Sequence, residues 1–130
     1  MTLNGTGAAP YKFGIYNPGF DNVTIRNCAV MNYLNGILIQ SSGYNTIDGN
    51  SATSNHWGIQ LASSNHNRII GNDVSLNNAG MRLAEASSFN DIAENHILSN
   101  KRRLRRGRLP ALSHLRTVRE TFTSHRSSIS

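Results

Sequence analysis

Apolar positions in this chain keep a beat of 22 residues. Gly36-Ile37-Leu38-Ile39, Gly58-Ile59-Gln60-Leu61 and Gly80-Met81-Arg82-Leu83 repeat one pattern at that interval, and Gly14-Ile15-Tyr16-Asn17 stands one interval earlier. A second column runs Ile25, Ile47 and Ile69, with Ile92 one residue late, and a third runs Val30, Ala52, Val74 and Ile97. Within each unit the apolar residues alternate, as in Ile37/Ile39 and Ile59/Leu61, which is the period of a strand. Polar clusters such as Ser41-Ser42-Gly43 and Ala62-Ser63-Ser64-Asn65 separate the short strands. Residues 1–13 read as part of a further coil, with Leu3, Ala8 and Tyr11 one interval before Ile25, Val30 and Tyr33. Nothing in residues 1–100 sustains helical spacing.

Short strands at a fixed period stack on their equivalents, parallel and in register. Each coil rises by about 4.8 Å, and the parallel crossover rule makes the winding right-handed. Every column then becomes a ladder of like residues. Asparagine supplies 17 of the first 100 residues, in columns of its own: Asn45, Asn67 and Asn90; Asn50, Asn72 and Asn95; Asn55, Asn77 and Asn100. Asn disfavours helices because its amide competes for backbone bonds. In a stack, an inward amide satisfies the donors and acceptors that a buried turn would orphan. Cys28 stands where the second column would want Asn, and reads as a small buried filler. The leucine-rich repeat shares the period, and Val23-x-Ile25-x-x-Cys28-x-Val30 fits part of its signature. Later units put Asn45, Asn67 and Asn90 where that repeat needs leucine, which favours the β-helix.

The pattern Asn-x-Ile-x-x-Asn-x-[Ala/Val]-x-x-Asn-x-x-Gly-[Ile/Met]-x-Leu resembles the parallel β-helix repeat of the pectate-lyase-like superfamily, in particular its NosD-like carbohydrate-binding and sugar-hydrolase repeat proteins. The resemblance covers about Leu3–Asn100. It implies an all-β fold, a right-handed parallel β-helix of about four 22-residue coils, and an extracellular, cell-surface or periplasmic setting. It is a poor guide to activity, since the repeat describes a core that carries many functions.

Length and charge divide the chain. A chain of 130 residues fits one domain. Residues 1–100 hold four basic against six acidic residues, net −2, while residues 101–130 hold nine basic against Glu120 alone, net +8. The basic character belongs to the tail, which starts with Lys101-Arg102-Arg103-Leu104-Arg105-Arg106-Gly107-Arg108 where another Gly-led strand is due. Three readings compete for it: the truncated or frame-shifted end of a longer protein, a capping helix with Leu112, Leu115, Val118 and Phe122 on one face, or a basic arm for an acidic partner. Nucleic acid is not the expected partner, because no recognisable module is present and Phe122 is the tail's one aromatic. The single cysteine excludes an intrachain disulfide. No apolar run is long enough to span a bilayer, and Met1–Gly5 shows no secretion signal.

For chemistry, enzymes of the resembled superfamily work on one outer sheet face, the lyases with Ca²⁺ held by Asp and with Arg or Lys as base, the hydrolases with clustered carboxylates. The weak candidates here are Asp48, Asp73, Arg68 and Arg82, with Asp91. The three carboxylates occupy three different columns, so they need not converge, and no paired Asp-Asp or Gly-His-Gly step is present. Ca²⁺ is expected only under the lyase reading; otherwise no cofactor is expected. Copper would need clustered His, Met or Cys, whereas His56, His66 and His96 fall at three steps and Met31 and Met81 are dispersed. Sugar binding needs aromatics for ring faces and polar groups for hydroxyls. Tyr16, Leu38, Gln60 and Arg82 form a column between the paired aliphatics, and Tyr44 and Trp57 are further candidates. The expectation is a non-catalytic β-helix scaffold over residues 1–100 that binds or displays toward polysaccharide or a surface glycan, as part of a larger protein. The alternatives are a fragment of a polysaccharide lyase or glycoside hydrolase, and a structural spacer. Exposed coil ends are expected to favour self-association.

Overall fold

The computed structural model describes residues 1–6, 12–98 and 100, together with the backbone of Arg102–Arg106 and Thr117–Thr121. In chain order the strands are β1 (Thr2–Asn4), β2 (Phe13–Pro18), β3 (Thr24–Arg26), β4 (Ala29–Met31) and β5 (Asn35–Gln40). They continue as β6 (Thr46–Asp48), β7 (Ser51–Thr53), β8 (Trp57–Ala62), β9 (Arg68–Ile70), β10 (Ala79–Ala84) and β11 (Asp91–His96). Two more, β12 (Arg102–Arg106) and β13 (Thr117–Thr121), follow. No helix occurs among the described residues, so none is long and apolar enough to cross a membrane.

The strands form three sheets, ordered β1-β4-β7, β12-β10-β8-β5-β2 and β13-β11-β9-β6-β3, and the strands pair in parallel. Successive strands within a sheet belong to successive coils, about four in all. Asp73 extends the first sheet by isolated bridges to Ser51 and His96. The apolar columns are in direct register: Ile25↔Ile47↔Ile69↔Ile92, Val30↔Ala52, and Ile37↔Ile59↔Met81. All of these are buried, and with Ile39, Leu61, Leu83, Val74 and Ile97 they make one continuous core.

The Asn columns bond as ladders. Asn45 Nδ2 donates to Asn67 Oδ1 (2.9 Å) and Asn67 Nδ2 to Asn90 Oδ1 (3.1 Å). Asn50, Asn72 and Asn95 repeat the arrangement at 3.0 and 2.9 Å. The third column differs: Asn55 and Asn77 accept from the backbone of the coil beneath and donate to the carbonyls of Val30 and Ala52. A serine ladder joins them, with Ser42 N donating to Ser64 Oγ and Ser64 N to Ser87 Oγ.

The buried amides of the first two Asn columns each follow a corner in the left-handed region. Asn22, Tyr44, His66 and Phe89 have φ of 61, 58, 59 and 56°, and Asn27, Gly49, Gly71 and Glu94 have 56, 66, 66 and 57°. The late arrival of Ile92 has its cause at another corner, where Gly19, Ser41 and Ser63 are single left-handed residues but Glu85 and Ala86 are two in succession. The extra residue is absorbed there, and the ladders resume with a spacing of 23 instead of 22.

One expected register is corrected. Leu3 pairs with Val30, not Ile25. The flanking backbone fixes this placement, since Ala29 N donates to Met1 O and Gly5 N to Met31 O, both at 2.8 Å. The segment therefore enters the stack under β4, more than one interval away. Ala8, Tyr11, Leu112, Leu115 and Phe122 lie outside the described residues. Val118 lies in β13, in register with Ile92, and β12 brings Leu104 into register with Met81 and Arg105 with Arg82.

Candidate functional site

The carboxylates considered for catalysis lie apart. Asp48 is in register with Arg26, and the two form an ion pair at 3.6 Å on the surface, where such pairs add little stability. Asp73 accepts a hydrogen bond from Ser75 Oγ and is bridged to Ser51 of the first sheet and to His96 at the end of β11. Asp91 is in register with Arg68 on the third. Arg82 belongs to the second sheet. Among the described residues no three His, Cys, Asp or Glu side chains gather into a metal-holding group.

Tyr16, Leu38, Gln60 and Arg82 do form a column, each in register with the next. It is not an open platform. Leu38 and Gln60 are buried, Arg82 is half-buried with its guanidinium 4.6 Å from the centre of the Trp57 ring, and Gln60 Oε1 and Arg82 Nε are buried without a hydrogen-bond partner. Tyr16 is exposed, and its hydroxyl donates to Gln40 Oε1 at 2.6 Å. His56 stacks edge-on against Trp57 and meets Asn78 through Nδ1. Cys28 is half-buried, its thiol donating to Arg26 O at 3.3 Å.

Tyr44 finds company elsewhere. The Tyr44 and His66 rings are parallel to within 3°, with centroids 5.1 Å apart, and the His66 and Phe89 rings are parallel to within 6° at 5.2 Å. All three residues are exposed, Tyr44 at 62% and Phe89 at 46%. Each ring therefore leaves part of its surface to solvent.

The sequence folds this way because the base of each ring is fixed from inside. Tyr44, His66 and Phe89 sit at left-handed corners, and each is followed by a buried amide of the first ladder, Asn45, Asn67 or Asn90. The corners are also tied directly, Tyr44 N donating to His66 O (3.1 Å) and His66 N to Ser88 O (3.2 Å). A bulky residue in the left-handed region costs about 1–2 kcal/mol. At the neighbouring corner two of the four positions are Gly49 and Gly71, which avoid that cost. At this one the chain retains three rings.

Polar grooves flank the ladder. One, of about 270 Å³, runs past Tyr44 and His66 and presents Asp21, Ser41, Ser63 and Asn65. The other, of about 260 Å³, touches all three rings and is lined by Asn67, Arg68 and Asp91. A row of rings beside hydroxyl, amide and carboxylate groups suits a ligand with an apolar face and many hydroxyls. Of this row, reading the sequence singled out Tyr44 alone. The available signal was an aromatic residue immediately before each Asn of the first ladder.

A sequence model described as "Right handed beta helix region" matches residues 5–125. No curated protein and no solved structure matches the chain.

Proposed function

The chain belongs to the right-handed β-helix family, and on that premise we propose that it is a non-catalytic scaffold, part of a larger exported or surface-displayed protein, that binds carbohydrate through the Tyr44–His66–Phe89 ladder. The observation that carries this reading is the exposed, parallel ring row between two polar grooves. Aromatic side chains combine a large apolar contact area with specific geometry, and the rigid amide ladder beneath them means little ordering is left for binding to do. The carboxylates, spread over three columns, give no support to a lyase or hydrolase. The fold alone would serve a spacer equally well, and the ring row is what favours binding.

The test is a panel of soluble and insoluble polysaccharides, with the full chain compared against Tyr44→Ala/Phe89→Ala and against Trp57→Ala. The double variant is expected to lose binding at least tenfold with its circular dichroism unchanged, while Trp57→Ala binds as the parent does. Loss confined to Trp57→Ala would move the site to the second sheet. No binding to any polysaccharide would leave the spacer.

A further inference from the structure

Resting on the carbohydrate reading above, we infer that the ligand of the ring ladder is a neutral, extended glycan lying along the solenoid axis with about one sugar per coil. Two independent features carry this, one of spacing and one of charge.

The rings recur at 5.1 and 5.2 Å along the stack, close to the strand spacing of about 4.7–4.9 Å that sets the coil rise. Ribbon-like chains of β-1,4-linked pyranoses advance by a similar distance per sugar. Such a chain keeps step with the rings, whereas a compact or helically coiled glycan meets one ring and turns away. Each ring is exposed, so each offers contact to the sugar at its own level. The grooves run beside the same rings, so hydroxyls on both edges of the ribbon meet polar groups.

The charge around the ladder selects against acidic glycans. Asp21 lines one groove and Asp91 the other, and the nearby cation, Arg68, is in register with Asp91 one coil above it. A polyuronate carries a carboxylate on every sugar and would bring like charges against both aspartates. Ser41, Ser63 and Asn65, by contrast, offer hydrogen-bonding groups that suit uncharged hydroxyls.

The experiment is isothermal titration of the full chain with cello-, manno- and xylo-oligosaccharides of increasing length, and with oligogalacturonates of matched length, at low and high salt. For at least one neutral series, affinity is expected to rise by about two- to tenfold for each sugar up to three and then to level, with little change on adding salt. His66→Ala, at the middle of the row, is expected to abolish the length dependence. Tighter binding of the acidic series, weakening with salt, would overturn this inference and leave the carbohydrate reading standing. Neutral binding with no length dependence would overturn the alignment along the axis. Binding of neither series would overturn the inference, and combined with an empty polysaccharide panel would remove the carbohydrate reading as well.

Discussion

Asn72 grips Asn50 twice: its Oδ1 accepts the Asn50 backbone N–H at 2.8 Å and the Asn50 side-chain amide at 3.0 Å. Its own Nδ2 donates to Ile47 O beneath and to Asn95 Oδ1 above, both at 2.9 Å. In the Asn columns each inward corner is thus served by the amide of the coil above it. This accounts for Val23, Cys28 and Tyr33, which lack an amide yet have their backbone N–H groups accepted by Asn45, Asn50 and Asn55. Cys28 interrupts the column by residue type without breaking the bonding.

Asn72→Ala removes these partners from a site that is 1% exposed. An unsatisfied buried donor or acceptor costs about 1–3 kcal/mol, and Asn50 N, Asn50 Nδ2 and Ile47 O all lose a bond. A destabilisation of at least about 3 kcal/mol in urea unfolding is expected. Asn72→Asp should be worse, because it sets a carboxylate against Ile47 O and Asn95 Oδ1, both acceptors. Asn78→Ala, at an exposed position, should stay within about 0.5 kcal/mol of the parent.

The leading glycine pattern has a packing cause that a second substitution exposes. A Cβ on Gly58 would lie 2.5 Å from Val74 Cγ1, 2.6 Å from Gly80 O and 2.8 Å from Asn77 Nδ2. Gly36 meets the same kind of neighbours, Gly58 O and Asn55 Nδ2, each at 2.7 Å. A side chain could shift, but the carbonyl of the next coil is held by the sheet. Gly58→Ala is therefore expected to cost more than the 1–3 kcal/mol usual for overpacking, seen as a large drop in thermal midpoint or as loss of soluble protein.

The apolar and Asn columns were legible because like residues recur at one interval, and stacking requires nothing more. The break before Ile92 was legible as a delay, but its site was not, since Glu85-Ala86 carries no glycine to mark a second left-handed residue. Most corners are hidden for the same reason: Tyr44, Ser54, Leu76 and Phe89 are not residues whose identity announces a positive φ. Ser42, Ser64 and Ser87 share a step of the repeat, but their bonding is not readable from it because serine is equally at home in a solvated turn. Tyr44, His66 and Phe89 keep the 22- and 23-residue intervals of the Asn column that follows them, but three different ring types do not read as a column of like residues. Burial of Leu38 and Gln60 depends on what covers a sheet face, which alternation alone does not specify.

Leu76 offers a gain in stability. It is 62% exposed with φ of 60°, so it carries the left-handed penalty of about 1–2 kcal/mol with little burial to offset it. Leu76→Gly removes the penalty but loosens the unfolded chain by about 0.5–1 kcal/mol. A net stabilisation of up to about 1.5 kcal/mol follows, measurable as a rise in thermal midpoint of up to several degrees. A fall would mean that the exposed side chain is held by contacts that its accessibility does not suggest.

The middle ring of the ladder separates packing from scaffold. Aromatic pairs are worth about 0.5–1.5 kcal/mol beyond their area, and these are exposed, so each contact should fall at the low end. His66→Ala breaks both contacts while leaving Asn67 and its bonds to Asn45 and Asn90 in place, and is expected to cost about 1 kcal/mol. His66→Phe keeps a flat ring at the same corner and should restore that loss. A double-mutant cycle between Tyr44→Ala and His66→Ala is expected to give a coupling of about 0.5 kcal/mol. Zero coupling would mean that the rings are held at their spacing by the backbone alone, and that their parallel faces attract one another too weakly to matter.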